Sequence, residues 1–108
     1  MAKYSVVNYV VTRRPSENGF DYIELKLDLL NSSGNPKKIT YTLHEDTRHT
    51  LIDIENTLNN GLSLAKSQSI SIEISEFLER AYIFVKLPVT QSDGKIKKEQ
   101  NQYTAHKI

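Results

Sequence analysis

The chain has 108 residues, the usual size of one domain, and a formal net charge of +1 from 14 basic and 13 acidic residues. This balance argues against a strongly basic protein that coats DNA and equally against an acidic DNA mimic. There is no cysteine, which excludes disulfides, zinc sites built on thiolates, iron–sulfur clusters and cysteine nucleophiles.

The sequence also predicts where the protein is found. Its opening residues lack the apolar run and the small-residue cleavage site of a signal peptide. No stretch approaches the roughly 18 consecutive apolar residues of a membrane-spanning helix. We therefore expect a soluble, cytoplasmic protein, and the absence of cysteine fits a reducing compartment.

The first predicted strand lies in the opening run YSVVNYVVTR, which is rich in Val and Tyr. If side chains alternate strictly between its two faces, Val6 and Val10 share one face. The other face then carries Val7, Tyr9 and Val11. Both faces are apolar, so we expect both to be covered.

The second and third predicted strands alternate more clearly. Residues 22–29 place four aliphatic side chains on one face: Ile23, Leu25, Leu27 and Leu29. Charged residues occupy most of the opposite face, which predicts a half-buried strand. Residues 39–44 place Ile39, Tyr41 and Leu43 on one face. His44 belongs to the polar face of that third strand.

The four glycines mark boundaries between elements, because each follows a residue that favours turns. Gly19, Gly34 and Gly94 are predicted to lie in turns between strands. Gly61, after two asparagines, is predicted to end a helix.

The helix is predicted over residues 47–59, where apolar residues recur at helical spacing. They form one stripe, made of Leu51, Ile54 and Leu58. Asp46 or Thr47 is expected to cap the first turn.

The start of this helix is dense in residues that can bind metals. His49 and Asp53 are four residues apart and could chelate an ion or pair as charges, with His44 or Asp46 as a third ligand. No established metal motif is present, and the acidic residues suit the positive end of a helix dipole. We interpret the segment as a helix start and expect neither a metal nor a cofactor.

The fourth and fifth predicted strands follow the helix. In residues 69–75 one face is aliphatic and carries Ile70, Ile72 and Ile74. In residues 81–89 one face carries Ala81, Ile83, Val85 and Leu87. The opposite face of the fifth strand is aromatic, with Tyr82 and Phe84, as in a central strand or a strand at an interface. Pro88 is expected to end its ladder.

The order of elements predicts one α+β domain over residues 1–92. Its sheet is expected to be mainly antiparallel with five or six strands, and one helix lies between strands 3 and 4. Residues 93–108 are predicted as a basic tail or an edge strand. An OB-like, partly open barrel is the first expected topology, and an open sheet covered by the helix is the second.

No catalytic arrangement is recognised in the sequence. The G-x-S-x-G motif of serine hydrolases is absent, and the serines fall in turns or on polar strand faces. Pairs of carboxylates show no sign of the apolar pocket that raises a catalytic pKa. We therefore expect a protein that is not an enzyme.

The first functional hypothesis is a protein-binding module whose partner is another protein or a second copy of the chain. Its recognition residues would be Tyr9, Tyr82 and Phe84, together with Asp53 and Glu55 on the acidic face of the helix. The alternative for the aromatic residues is that they belong to the core.

The second hypothesis is binding of single-stranded nucleic acid by an OB-like fold. Five basic residues would contact phosphate: Arg13, Arg14, Lys95, Lys97 and Lys98. Tyr103 or Tyr9 would stack on a base. The carboxylates of Glu24 and Asp28 on the polar face of the second strand oppose this hypothesis.

Overall fold

The computed structural model describes residues 1–77 and 82–108, and within them it contains six strands and one helix. Their bounds are β1 Ala2–Arg14, β2 Tyr22–Asn31, β3 Pro36–His44, α1 Leu51–Ser67, β4 Ile72–Phe77, β5 Tyr82–Thr90 and β6 Ile96–Lys107. The strands close on themselves in the order β1-β2-β3-β6-β5-β4, and every neighbouring pair is antiparallel. The predicted α+β class is confirmed, with one helix between strands 3 and 4. We call the six strands the closed sheet.

The core lies on the inner face of the closed sheet and against α1. The aliphatic faces predicted for the second and third strands point inward and are buried, as expected from their strict alternation. Ile83, Val85 and Leu87 of β5 are buried in the same core, while Ala81 lies outside the described residues. Side chains that alternate with these residues point to the opposite side, which we call the outer face.

The strand β1 departs from strict alternation. The register of its ladder with β2 shifts directly after Val6, which indicates a β-bulge. Beyond the bulge Tyr9 and Val11 pack against the core. Val7 and Val10 are each 49% exposed, so the prediction that both faces of this strand are covered is wrong. One extra residue changes which side chains of a strand face the core.

The helix α1 starts and ends later than predicted. Its N-cap is Thr50 rather than Asp46 or Thr47, and the Thr50 hydroxyl accepts a hydrogen bond of 3.2 Å from the backbone N–H of Asp53. The predicted apolar stripe is buried and continues into the last turns of the helix with Leu62 and Ala65. Within residues 1–77 and 82–108, no helix is long and apolar enough to cross a membrane.

Gly61 lies inside α1, so the predicted stop at this residue is wrong. A Cβ atom at Gly61 would lie 2.8 Å from the Cβ atom of Leu87 in β5. Glycine therefore allows α1 and β5 to approach closely, and this contact outweighs its poor helix propensity. The other three glycines have positive φ angles of 81–84° in turns, as predicted.

The C-terminal residues, predicted as an edge strand or a tail, form β6 with a neighbour on each side. It pairs with β5 from Ile96 to Thr104, and with β3 over its last four residues. Pro88 lies within β5, so the predicted end of the ladder at this residue is wrong. The β4–β5 ladder reaches only to Lys86, and proline is tolerated where a strand has one neighbour.

Candidate interaction surface

The outer face of the closed sheet carries a row of side chains that cross-strand pairing brings together. Phe77 of β4 lies opposite Tyr82 of β5, and Tyr82 lies opposite Thr104 of β6. Thr104 in turn lies opposite His44 of β3. The ring of Tyr22 in β2 has its centre 5.9 Å from that of His44. We call these five residues the outer row, which crosses five strands.

Three aromatic residues at one end of the outer row contact one another, and we call them the aromatic cluster: Phe77, Tyr82 and Phe84. The ring centres of Phe77 and Tyr82 are 5.5 Å apart, and each of these rings lies 6.0 Å from the ring of Phe84. Phe77 is 52% exposed, and the other two are partly buried. The alternative that Tyr82 and Phe84 belong to the core is therefore wrong.

The cross-strand neighbours of the aromatic cluster on the outer face are uncharged. Ser75 and Gln102 lie on either side of Phe84 in the adjacent strands. Further along, the carboxylate of Glu73 pairs with the ammonium groups of Lys98 at 3.4 Å and Lys86 at 4.0 Å. The cluster is thus an apolar surface with uncharged cross-strand neighbours, and the nearest charges are those of Lys86, which is paired with Glu73, and of Asp46, which bonds Thr104.

The other residues predicted for a protein interface lie elsewhere. Tyr9 packs against the core from β1. Asp53 and Glu55 lie in the first turns of α1 and not on the sheet that carries the cluster. Phe77 was missed, because the predicted fourth strand stopped at Ser75. If the alternating pattern of this strand had been extended by two residues, it would have placed Phe77 on the same face of the strand as Ser75.

The basic residues predicted to contact phosphate lie in or next to two separate turns and are largely paired with acids. At the β1–β2 turn, Arg13 lies 3.4 Å from Asp21. Arg14 lies 3.3 Å from Glu24. Near the β5–β6 turn, Lys97 lies 3.6 Å from Glu99, Lys98 pairs with Glu73, and Lys95 is exposed. The chain therefore does not gather these cations into one groove.

Tyr103, predicted to stack on a base, lies in the core and is 1% exposed. Burial raises the pKa of its hydroxyl to about 12, although a hydrogen bond with Thr57 of α1 lowers it. Its ring centre is 4.9 Å from that of His49. A ring enclosed in this way has no free face for a base.

The segment before α1 is organised by Asp46. Its carboxylate accepts hydrogen bonds from the backbone N–H groups of Arg48 at 2.8 Å and His49 at 2.9 Å. Although burial opposes the change, these bonds lower the pKa of Asp46.

His49 precedes α1, so the expected helical spacing between His49 and Asp53 is wrong. In the ranges that the structure describes, no three His, Cys, Asp or Glu side chains are grouped to hold a metal.

A second polar group links β3, β4 and β6. The hydroxyl of the buried Tyr41 donates a hydrogen bond of 2.9 Å to Glu76, and Lys107 lies 3.2 Å from the same carboxylate. Burial and the contact with Glu76 raise the pKa of Tyr41 well above its usual range. Although burial opposes it, the Tyr41 hydrogen bond and the Lys107 charge lower the pKa of Glu76. The hydroxyl of Tyr41, the carboxylate of Glu76 and the ammonium group of Lys107 thus find their polar partners within the protein. We interpret them as a structural link between the three strands.

Comparisons with protein-family models, with curated proteins and with solved structures find no match to this chain. The functional argument therefore depends on the surface itself. On the described outer face, the aromatic cluster combines grouped aromatic rings with partial exposure. Such a combination is typical of a binding surface.

Proposed function

We propose that this chain is a small, non-catalytic binding module that acts through protein–protein interaction, with the aromatic cluster as its contact surface. The main support is that Phe77, Tyr82 and Phe84 contact one another on the outer face while Phe77 is 52% exposed. Aromatic residues are enriched at protein interfaces, where their large apolar area is removed from water. We also propose a cytoplasmic location, which the cysteine-free sequence supports.

The partner that we propose is a second copy of the chain. A two-fold dimer brings the same surface of both copies together, so a charged surface would meet its own charge. Around the aromatic cluster this repulsion is small, because the cross-strand neighbours Ser75, Gln102 and Thr104 are uncharged and the adjacent Lys86 is paired with Glu73. Self-association would also shelter the exposed ring of Phe77.

Substitution of the most exposed cluster residue tests this proposal. We expect the mass of the wild-type protein, measured by light scattering, to rise towards that of a dimer as the concentration approaches about 0.5 mM. Phe77→Ser should remain monomeric because the centre of the contact is lost. The variant should stay folded and lose about 1 to 2 kcal/mol of stability, since Phe77 is half exposed but packs on the rings of Tyr82 and Phe84.

Val10→Ser is the matched control, because it removes another half-exposed apolar side chain, on β1. This variant should associate like the wild type. A wild-type protein that stays monomeric throughout, or a Phe77→Ser variant that associates equally well, would refute the proposed contact.

Binding of single-stranded nucleic acid is the second candidate function, and we propose it for the other end of the outer row. Its support is the position of Arg14, which lies opposite Tyr22 in the β1–β2 ladder. A basic residue and an aromatic residue at paired positions suit phosphate contact combined with base stacking, as in OB-like proteins, although Arg14 would have to give up its pair with Glu24. Arg13, the neighbouring residue, would contribute further charge.

Fluorescence anisotropy of a labelled single-stranded DNA tests this candidate. If it is correct, binding should weaken steeply between about 50 and 200 mM salt, because phosphate contacts release counterions. Arg13→Ala combined with Arg14→Ala should weaken binding for all sequences and flatten the salt dependence. Absence of binding at the lower salt concentration would eliminate the candidate.

A further inference from the structure

Two histidines meet on the outer face where β3 and β6 pair. His44 lies opposite Thr104, and His106 lies opposite Thr42. The imidazole centres are 5.3 Å apart and the ring planes are inclined by 78°. His106 is exposed and His44 is partly buried, so solvent reaches the pair.

The separation of the two imidazoles suits a shared metal ion. A bond from Zn²⁺ to a histidine nitrogen is about 2 Å long, and the ring centre lies about 1 Å behind that nitrogen. Two imidazoles that share one tetrahedral ion therefore have centres about 5 Å apart. The observed 5.3 Å agrees with this arrangement.

We propose that His44 and His106 form a two-ligand site for a divalent transition-metal ion. Imidazole suits ions such as Zn²⁺, Ni²⁺ and Cu²⁺. With two protein ligands, water would occupy the remaining positions, so the ion would exchange readily. This site adjoins Tyr22 of the nucleic-acid candidate, because the ring of Tyr22 packs against His44, but metal binding can be tested without either proposed interface.

The ring of Tyr22 packs against His44, with the two ring centres 5.9 Å apart. His44 therefore has one aromatic neighbour in Tyr22 and a second in His106, whose ring centre is 5.3 Å away.

The position of the pair gives metal binding a structural consequence. The β3–β6 ladder has four residue pairs, whereas the β1–β2 ladder has ten. An ion shared by His44 and His106 would join the two strands of a short ladder in the closed sheet. Because the unfolded chain lacks this geometry, the ion would bind the native state preferentially and stabilise it.

Thermal unfolding with Zn²⁺ and with a chelator tests the site. At about 0.2 mM ZnCl₂ and neutral pH, we expect the Tm of the wild-type protein to rise by about 5 °C and the chelator to reverse the rise. His44→Gln and His106→Gln should each abolish the shift. His49→Gln is the matched control, since His49 lies against Tyr103, and it should keep the shift.

The proton NMR signals of the imidazoles provide a second measurement. Those of His44 and His106 should move or broaden together when Zn²⁺ is added, while those of His49 should not. A wild-type Tm that does not respond to Zn²⁺ would overturn the proposal. So would a shift that persists in His106→Gln, which would indicate adventitious binding elsewhere.

Discussion

Replacement of Tyr103 by Ala should lower the free energy of unfolding by about 3 to 5 kcal/mol, because it removes a large side chain from the core. Tyr103 is 1% exposed and extends from β6 to Thr57 of α1 and to the ring of His49. Urea denaturation monitored by circular dichroism measures the loss. The expected effect is on folding and not on a binding surface.

Tyr103→Phe is the matched control for this substitution. It keeps the ring and removes only the hydroxyl, whose hydrogen bond with Thr57 should contribute about 1 kcal/mol. If Tyr103→Ala were as stable as the wild type but failed to bind DNA, the placement of Tyr103 in the core would be contradicted.

The second large effect is expected at Gly61, where the usual rule for helices should be reversed. Alanine inside a helix is normally more stable than glycine by about 1 kcal/mol. Here the new Cβ atom would lie 2.8 Å from the Cβ atom of Leu87, so α1 and β5 would have to separate. We expect Gly61→Ala to lower the free energy of unfolding by about 1 to 3 kcal/mol, the usual cost of overpacking.

Asn60→Ala provides the comparison, because Asn60 is the preceding, exposed residue of the same helix. It should stabilise the protein by about 0.5 kcal/mol through helix propensity alone. Urea denaturation of both variants shows whether each substitution raises or lowers the free energy of unfolding. A Gly61→Ala variant that is more stable than the wild type would show that the close contact with Leu87 is wrong.

The fold was largely predictable where alternation is unbroken. In β2 and β3 apolar residues recur at every second position, and this pattern correctly predicts which side chains face the core. Where prediction failed, a tertiary contact or an irregularity decided the structure. The residues around the bulge after Val6 give no clear sign of it in the sequence. The need for glycine at position 61 comes from the close approach of Leu87. β6 resembled a tail because few of its residues, such as Tyr103 and Ala105, are buried apolar ones.

The candidate surface was predictable only in part. The pattern of the fifth strand placed Tyr82 and Phe84 together on one face. Their contact with Phe77 and the meeting of His44 with His106 depend on pairing between strands, which one sequence does not reveal. His44 and His106 are distant along the chain, so local periodicity could not indicate their contact. Phe77 lies close to Tyr82 in the sequence and was left out only because the predicted fourth strand ended at Ser75.

Dilution of isotopically labelled protein, followed by NMR of its backbone amides, tests the central proposal most directly. Between about 0.5 mM and 20 µM, a range suited to weak association, we predict concentration-dependent shifts for Phe77, Tyr82 and Phe84 and for their neighbours on the outer face. The amides of Val10 and of α1 should not change. Spectra that are identical at all concentrations, or changes confined to α1, would contradict self-association through the aromatic cluster.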